Sequence, residues 1–337
     1  MRLKLKNIGI VNDADIKIDG LTVIAGENDS GKSTVGKVLY SLIKTIRWAS
    51  NTSSEIKRSE NIYCDRFNRY IKNLFKNQIS QNGKILFHYD GEVFDLQIQK
   101  DRCIKFKANE NYSNKNPKMT SPLLIETPYI WNLIPSLKTI RNLEAQNTEI
   151  DFEILDTLGD LYFALTTKLK DSDKIKLNVD SIIKGHLDEN SLGNFVFQKE
   201  DKNIELVNTA MGIKYFGILQ VLSDKNHFYD GQVLILDEPE VHLHPKWQLR
   251  LAEVIVYLAK NGIKVLVNSH SPYMIEALQR YSEQENLADK TNFYLAQDGV
   301  IAKKEDSNSA TLSEIFEKLS EPFDEFEAME SERLNHG

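Results

Sequence analysis

The chain has 337 residues, 41% hydrophobic and 27% charged, which excludes a disordered or fibrous chain and fits one large domain or two small ones. A formal net charge of −7 excludes a global basic field for nucleic acid, while leaving room for a local basic face. The two cysteines, Cys64 and Cys103, have neither metal spacing nor a disulfide framework, and no apolar run approaches a membrane span, so the expected location is the cytoplasm with no membrane contact.

Met1 to Lys6 alternates apolar and basic residues, a strand pattern and not a signal peptide. Leu3, Leu5, Ile8 and Ile10 predict a first strand, and Ala14 to Ile18 a second. After the turn dipeptide Asp19-Gly20, Leu21 to Ile24 reads as a short buried strand. Gly26-Glu27-Asn28-Asp29-Ser30-Gly31-Lys32-Ser33-Thr34 follows, and Val35 to Ile43 has helical spacing. Strand, glycine-bounded loop and helix form the context of a phosphate-binding loop, and G-x-x-x-x-G-K-[ST] is complete. In such a loop, successive backbone N–H groups turn inward as an anion nest, and the following helix adds its positive end. Lys32 supplies a point charge for the β- and γ-phosphates, and the Ser33 hydroxyl an oxygen for Mg²⁺. By average residue usage the fixed positions match by chance in about one chain of this length in a hundred, so nucleotide binding is the strong reading.

Beyond the loop the sequence predicts helix from about Ser50 to Ser80. A hairpin of 84–89 and 93–98 follows around Asp90-Gly91, with a third strand at 103–106. Asn109 to Lys118 reads as a polar loop and Leu123 to Ile125 as a core strand ending near Glu126. Helices are expected at 129–141 and 151–170, a hairpin at 194–199 and 203–206, and a glycine-punctuated helix from Met211 to Leu219. No internal repeat or sustained heptad is visible.

Val233-Leu234-Ile235-Leu236 predicts a second buried strand, and Asp237-Glu238-Pro239-Glu240 emerges at its end, where open α/β sheets place ligands. Asp237 suits Mg²⁺, and Glu238 suits the orientation and polarisation of an attacking water in phosphoryl transfer. Taken alone, a solvated acidic turn would be a fair account; beside the phosphate loop it is a poor one. His242 and His244 flank Leu243 without further metal ligands, and a structural or subunit-contact role is the better reading. Lys264 to Val267 predicts a third buried strand ending in Asn268-Ser269-His270-Ser271-Pro272. There His270 is placed to hydrogen-bond a γ-phosphate or the attacking water.

These blocks, in this order, resemble the ABC-type P-loop ATPases of the SMC, RecF and OLD-like branch. Gly26–Thr34 looks like Walker A, Val233–Glu238 like Walker B with its catalytic glutamate, and Asn268–Pro272 like the switch-histidine loop. Leu5-Lys6-Asn7-Ile8-Gly9 and the run from Asp237 to Pro245 look most like the small prokaryotic AAA-type ATPases of antiphage defence. The likeness covers the two ends, about half of the chain.

The resemblance implies an α/β fold: an ABC-ATPase head with a mixed core sheet, an N-terminal antiparallel part and a helical/β insertion. Residues 1–44 and 205–303 would form the core, 45–204 the inserted lobe and 304–337 an acidic tail. It further implies ATP and Mg²⁺ as cofactors, slow hydrolysis with Lys32, Glu238 and His270 as catalytic residues, and Ser33 and Asp237 on the metal. ATP would close a homodimer or higher homo-oligomer and switch a separate effector protein, a nuclease being one candidate. In the closed dimer a signature-like loop would reach the partner's nucleotide through Thr209, Gly212 and Lys214. The usual serine is absent, since Ala210 or Met211 stands in its place. Fewer than seventy residues follow His270, too few for the nuclease domain of OLD-family proteins. Two rivals are a DNA clamp, with Lys57, Arg58, Arg66, Arg69, Lys72 and Lys76 lining a groove, and a nucleotide-sensing subunit with little turnover. A transporter's ATPase subunit is a weaker third.

Overall fold

The computed structural model describes residues 1–50, 60–108, 119–145, 154–170, 175–190 and 193–335. The first six strands are β1 (Arg2–Ile8), β2 (Val11–Lys17), β3 (Leu21–Ala25), β4 (Asn82–Tyr89), β5 (Glu92–Gln99) and β6 (Arg102–Ala108). The remainder are β7 (Leu123–Ile125), β8 (His186–Glu189), β9 (Phe195–Lys199), β10 (Lys202–Glu205), β11 (Val233–Asp237), β12 (Lys264–Ser269), β13 (Thr291–Gln297) and β14 (Val300–Ala302). The helices are α1 (Lys32–Ser50), α2 (Glu60–Phe75), α3 (Ile130–Ala145), α4 (Asp156–Thr166), α5 (Asp180–Ile183), α6 (Met211–Asp224), α7 (Pro245–Lys260), α8 (Pro272–Gln284) and α9 (Asn308–Asn335).

Eleven strands form one mixed sheet in the order β6-β5-β4-β1-β2-β14-β13-β3-β12-β11-β7. From β13 to β7 the pairings are parallel. From β2 outward through β1, β4, β5 and β6 they are antiparallel. All five residues of β3 are buried, because helices cover both of its faces. Alternate side chains feed two cores. Leu21, Val23 and Ala25 pack with residues of α3, α4, α6, α7 and α8, and Ile24 packs with α1 and α2. This is the mixed-sheet ABC-head architecture that the resemblance implies.

Residues 45–204, expected as an inserted lobe, divide differently from that expectation. The β4–β6 meander continues the main sheet through the antiparallel β1–β4 pairing, with Leu5 opposite Ile85. The alternation of β4 and β5 matches that of β1, so Ile85, Phe87, Phe94 and Leu96 complete the core begun by Leu3 and Leu5. The strand β7 also belongs to the main sheet, paired with β11. The parts of that segment outside the main sheet, among the described residues, are the helices and the small sheet β10-β9-β8. The strand β8 was not foreseen, since Leu187 is its one buried residue.

Other departures are local. Ile10 lies not in the first strand but at the β1–β2 turn, 44% exposed, where Gly9 takes φ +57. Asp90 and Gly91 take φ +50 and +77, the left-handed pair of a tight hairpin, as the sequence predicts. The expected loop at 109–118 lies outside the described residues. The acidic tail is helical as α9, and its start is anchored, with Leu312 and Ile315 buried in the core.

The loop helix α1 is tied to α4 by Asp160. Its carboxylate accepts from the Tyr40 hydroxyl at 2.6 Å and from the Lys44 ammonium at 2.5 Å. Hydrogen bonds to charged groups contribute about 1.5–3 kcal/mol, so Tyr40→Phe is expected to lower unfolding stability by about 1.5 kcal/mol in a urea titration. An unchanged midpoint would mean that Lys44 alone carries the link.

Candidate nucleotide-binding site

Three strand ends converge. The loop Gly26–Gly31 joins β3 to α1, Asp237 and Glu238 leave the end of β11, and His270 follows β12, which lies between β3 and β11. The glycines are required by contact. A Cβ on Gly26 would sit 2.3 Å from the carbonyl oxygen of Ala296, and one on Gly31 would sit 2.6 Å from the Val11 side chain. Asp29 takes φ +63, and the Ser30 hydroxyl donates to the Glu27 carbonyl at 2.7 Å, which closes the turn. Glu27, Asn28 and Asp29 are exposed on its rim. Thr34 stands opposite the close-packed Gly9 of the β1–β2 turn.

Lys32 is 3% exposed and folds back across the loop. Its ammonium donates to the carbonyls of Gly26 at 2.9 Å and Glu27 at 2.5 Å. Burial lowers its pKa from the ordinary lysine value, and the charges of Glu238, Asp237 and Glu240 act against that. The Ser33 hydroxyl donates to Asp237 Oδ1 at 3.1 Å. Asn268 Nδ2 donates to the same oxygen at 2.7 Å and to the Lys32 carbonyl at 3.0 Å. A hydroxyl and a carboxylate oxygen side by side form a hard donor pair suited to Mg²⁺. Asn268 Oδ1, buried without a hydrogen-bond partner, is an acceptor for a water on such an ion.

Glu238 is one-third exposed, in a left-handed conformation with φ +49, and its N–H donates to the Asn268 carbonyl at 2.9 Å. His270 Nδ1 lies 3.6 Å from an oxygen of Glu238 and 3.6 Å from an oxygen of Glu240. Glu240 had no assigned role in the sequence. It is 3% exposed, and its Oε1 accepts from the Ser269 hydroxyl at 2.7 Å, the His270 N–H at 2.9 Å and the Ser271 N–H at 3.3 Å. Ser271 in turn donates to Gln248 at 2.6 Å. The sequence signal for Glu240 is a third carboxylate directly behind Pro239. Nothing in the sequence points to Gln248, which reaches the site from α7.

The signature-like loop is not assembled as expected. Ala210 caps α6 without a side-chain bond, and Thr209 Oγ1 donates to the Leu206 carbonyl at 2.8 Å. Gly212 is packed where a Cβ would lie 2.8 Å from the Trp247 ring. Lys214, expected to reach outward, is 4% exposed and donates to Asn132 at 3.2 Å. The reason is helical geometry: four positions beyond Ala210, its side chain faces α3, not the open end of α6. Glu126 is held by Lys37 at 3.4 Å and Thr157 at 3.4 Å.

The remaining expectations divide. His244 caps α7, accepting from the Lys246 N–H at 3.2 Å, which supports its structural reading. Among the proposed groove residues, half-buried Arg66 stacks over Trp48 and Tyr70, while Arg69 and Lys72 are exposed on α2 and Lys76 is exposed just beyond its end. Lys57 and Arg58 lie outside the described residues. A cavity of about 340 Å³ opens beside Gly26–Ser30 against the end of β13 and α9. A larger one, about 800 Å³, lies between α7 and α8 and holds none of these groups.

The β3 loop, the carboxylates one strand removed on β11, the histidine loop on the strand between, and the antiparallel extension make up the fold class of the ABC-type P-loop heads, with the residues of a candidate nucleotide site at its strand ends. Residues 133–276 match the family described as "AAA domain, putative AbiEii toxin, Type IV TA system", a stretch that contains Asp237, Glu238 and His270. The chain is similar to the Septu protein PtuA of Bacillus thuringiensis, 22% identical over 313 residues, which cover 82% of this chain and 72% of the relative. It is also similar to the SMC head domain from Thermotoga maritima, 14% identical, covering 89% of this chain and 96% of that one with a TM-score of 0.44. An ATP-binding cassette of an ABC transporter in its ADP conformation is 13% identical, covering 94% of this chain and 98% of that one with a TM-score of 0.41.

Lys32→Ala is expected to weaken binding of a fluorescent ATP analogue by about 10- to 100-fold, the equivalent of one or two charge-assisted hydrogen bonds. Unfolding should stay cooperative, and wild-type affinity in the variant would exclude this loop as the phosphate site.

Proposed function

We propose that the protein binds Mg·ATP at this site, hydrolyses it, and uses the cycle to close and open a homodimer that switches a separate effector in antiphage defence. The observation that carries this reading is the convergence of Lys32, Ser33, Asp237, Glu238 and His270 on adjacent strand ends, where Ser33 is hydrogen-bonded to Asp237, Asn268 links Asp237, Lys32 and Glu238, and His270 lies 3.6 Å from Glu238. The likeness to the Septu protein PtuA, and the match to the family described with a putative AbiEii toxin, support the defence setting.

In this reading the loop N–H groups and the start of α1 receive the phosphates. Lys32 leaves the carbonyls of Gly26 and Glu27 and turns to the β- and γ-phosphates. Ser33 and Asp237 would hold Mg²⁺, which would supply positive charge against the phosphates. Glu238 orients and polarises the attacking water, and His270 hydrogen-bonds the γ-phosphate or that water. The partner's contact comes from the backbone N–H groups at the uncapped start of α6, with Thr209 beside them, rather than from Lys214.

A second reading, a nucleotide-sensing subunit with little turnover, draws support from the same α6 start, which presents no serine. The DNA-clamp reading retains only Arg69, Lys72 and Lys76 as exposed candidates among the described residues.

The deciding experiment compares wild type and Glu238→Gln with and without Mg·ATP by light scattering. The expected result is a shift from the 38.7 kDa monomer to about twice that mass in the variant, with turnover lowered about 100-fold or more. If neither protein changes mass and wild type hydrolyses no ATP, the sensing reading replaces the hydrolytic one.

A further inference from the structure

Three buried polar atoms at these strand ends lack a hydrogen-bond partner: Asn268 Oδ1, Glu240 Oε2 and His270 Nδ1. The first is accounted for above by cation-bound water. The other two belong to side chains that already face each other. Glu240 is nearly sealed, its side chain 2% exposed, while the His270 side chain is 40% exposed. The carboxylate therefore forms the fixed wall behind a ring whose other edge is open.

Glu240 is also attached to the whole loop that carries the histidine. One of its oxygens gathers the Ser269 hydroxyl and the N–H groups of His270 and Ser271. Gln248 extends the clamp, accepting from the Ser271 hydroxyl and donating to the Leu243 carbonyl at 3.0 Å. A buried carboxylate is expensive to leave underpartnered; the His270 imidazole and the buried Tyr215 hydroxyl, also without a partner and in the field of Glu240, are able to donate to it, and the imidazole is the one on the loop that Glu240 holds. Nδ1 stands 3.6 Å from Glu240 Oε1, so the ring needs a rotation to donate to the carboxylate.

Resting on the hydrolytic reading above, we propose that Glu240 is the positioning residue of His270: it fixes the loop backbone with Oε1 and its carboxylate accepts a hydrogen bond from the Nδ1–H, which sets the tautomer with Nε2 as a bare acceptor. Nε2 then faces the open edge of the site and accepts from the attacking water, or donates once protonated to the γ-phosphate. Glu238, at the same distance from Nδ1, is thereby left for the water. The division of labour is that of a carboxylate–histidine pair: the carboxylate touches no substrate and acts through the ring.

Glu240→Gln separates the two roles. Glutamine keeps an oxygen for the three donors of the loop and places an N–H₂ group where Oε2 stood. That group donates to Nδ1 and forces the proton to Nε2. Two readouts test the proposal. In ¹⁵N-histidine-labelled wild type at pH 8, with His270→Gln used to assign the signal among the seven histidines, the neutral ring should be protonated at Nδ1. In Glu240→Gln the proton should move to Nε2. Turnover should fall about 100-fold in Glu240→Gln with KM for ATP within about twofold, the split expected of a lost transition-state interaction and not of a damaged site.

Wild-type His270 protonated at Nε2 overturns the proposal by itself, even if Glu240→Gln does not fold. So does a folded Glu240→Gln with wild-type turnover or an unmoved tautomer. If wild type binds but does not hydrolyse ATP, the hydrolytic reading fails. The tautomer in wild type still decides the Glu240–His270 pairing independently.

Discussion

Asp237 Oδ1 is the point on which the site depends. It accepts from Ser33, at the start of the loop helix, and from Asn268, at the end of the neighbouring strand, and Asn268 holds the Lys32 carbonyl at the same time. Two strand ends and a helix N-terminus are thereby locked around one carboxylate. A half-buried acceptor with two donors from different elements holds best when both are in place, so the arrangement forms as a unit. The tight contacts around it serve the same register. Gly36 of α1 leaves its absent Cβ 3.0 Å from Ile235, which lets the helix lie close on β11.

Much of this was legible in the sequence because the chemistry is local there. A phosphate loop is nine consecutive residues, and a buried strand ending in two carboxylates is six; each carries its own context. The fold class followed from the same blocks. The hairpin at Asp90-Gly91 was legible for the same reason, as turn chemistry is set by the two residues that adopt it. What escaped was non-local. That β4 pairs with β1 depends on residues eighty positions apart sharing one face, and alternation alone gives a strand without naming its neighbour. Lys214 read as a loop cation because its position in α6, facing Asn132 from α3, has no trace in the local pattern. Glu240 stood in plain view in the acidic run, but its role needs the loop from β12 beside it.

In the proposed dimer the signature-like segment would keep its place and change its means. Ala210 and Met211 offer no hydroxyl, and Lys214 is committed inside the chain. The start of α6 keeps its unpartnered backbone N–H groups, which need no particular side chain. A contact made by backbone tolerates such substitution provided that the helix stays where Gly212 lets it pack on Trp247.

The strand order carries a further consequence. The loop-bearing strand β3, encoded at 21–25, is flanked in the sheet by β12 on one side and β13 on the other, strands encoded at 264–269 and 291–297. On the other side of the β14–β13 pair, β2 takes its partner from residues 300–302. The N-terminal segment therefore emerges from the ribosome long before either neighbour exists, with an apolar strand unpaired on both edges. Such a topology has high contact order and folds late, and during synthesis the nascent segment is exposed to mispairing or to chaperones. The phosphate loop can take its final form only after residues 264–297 have been made, so its own residues wait through more than two hundred others before their sheet neighbours exist.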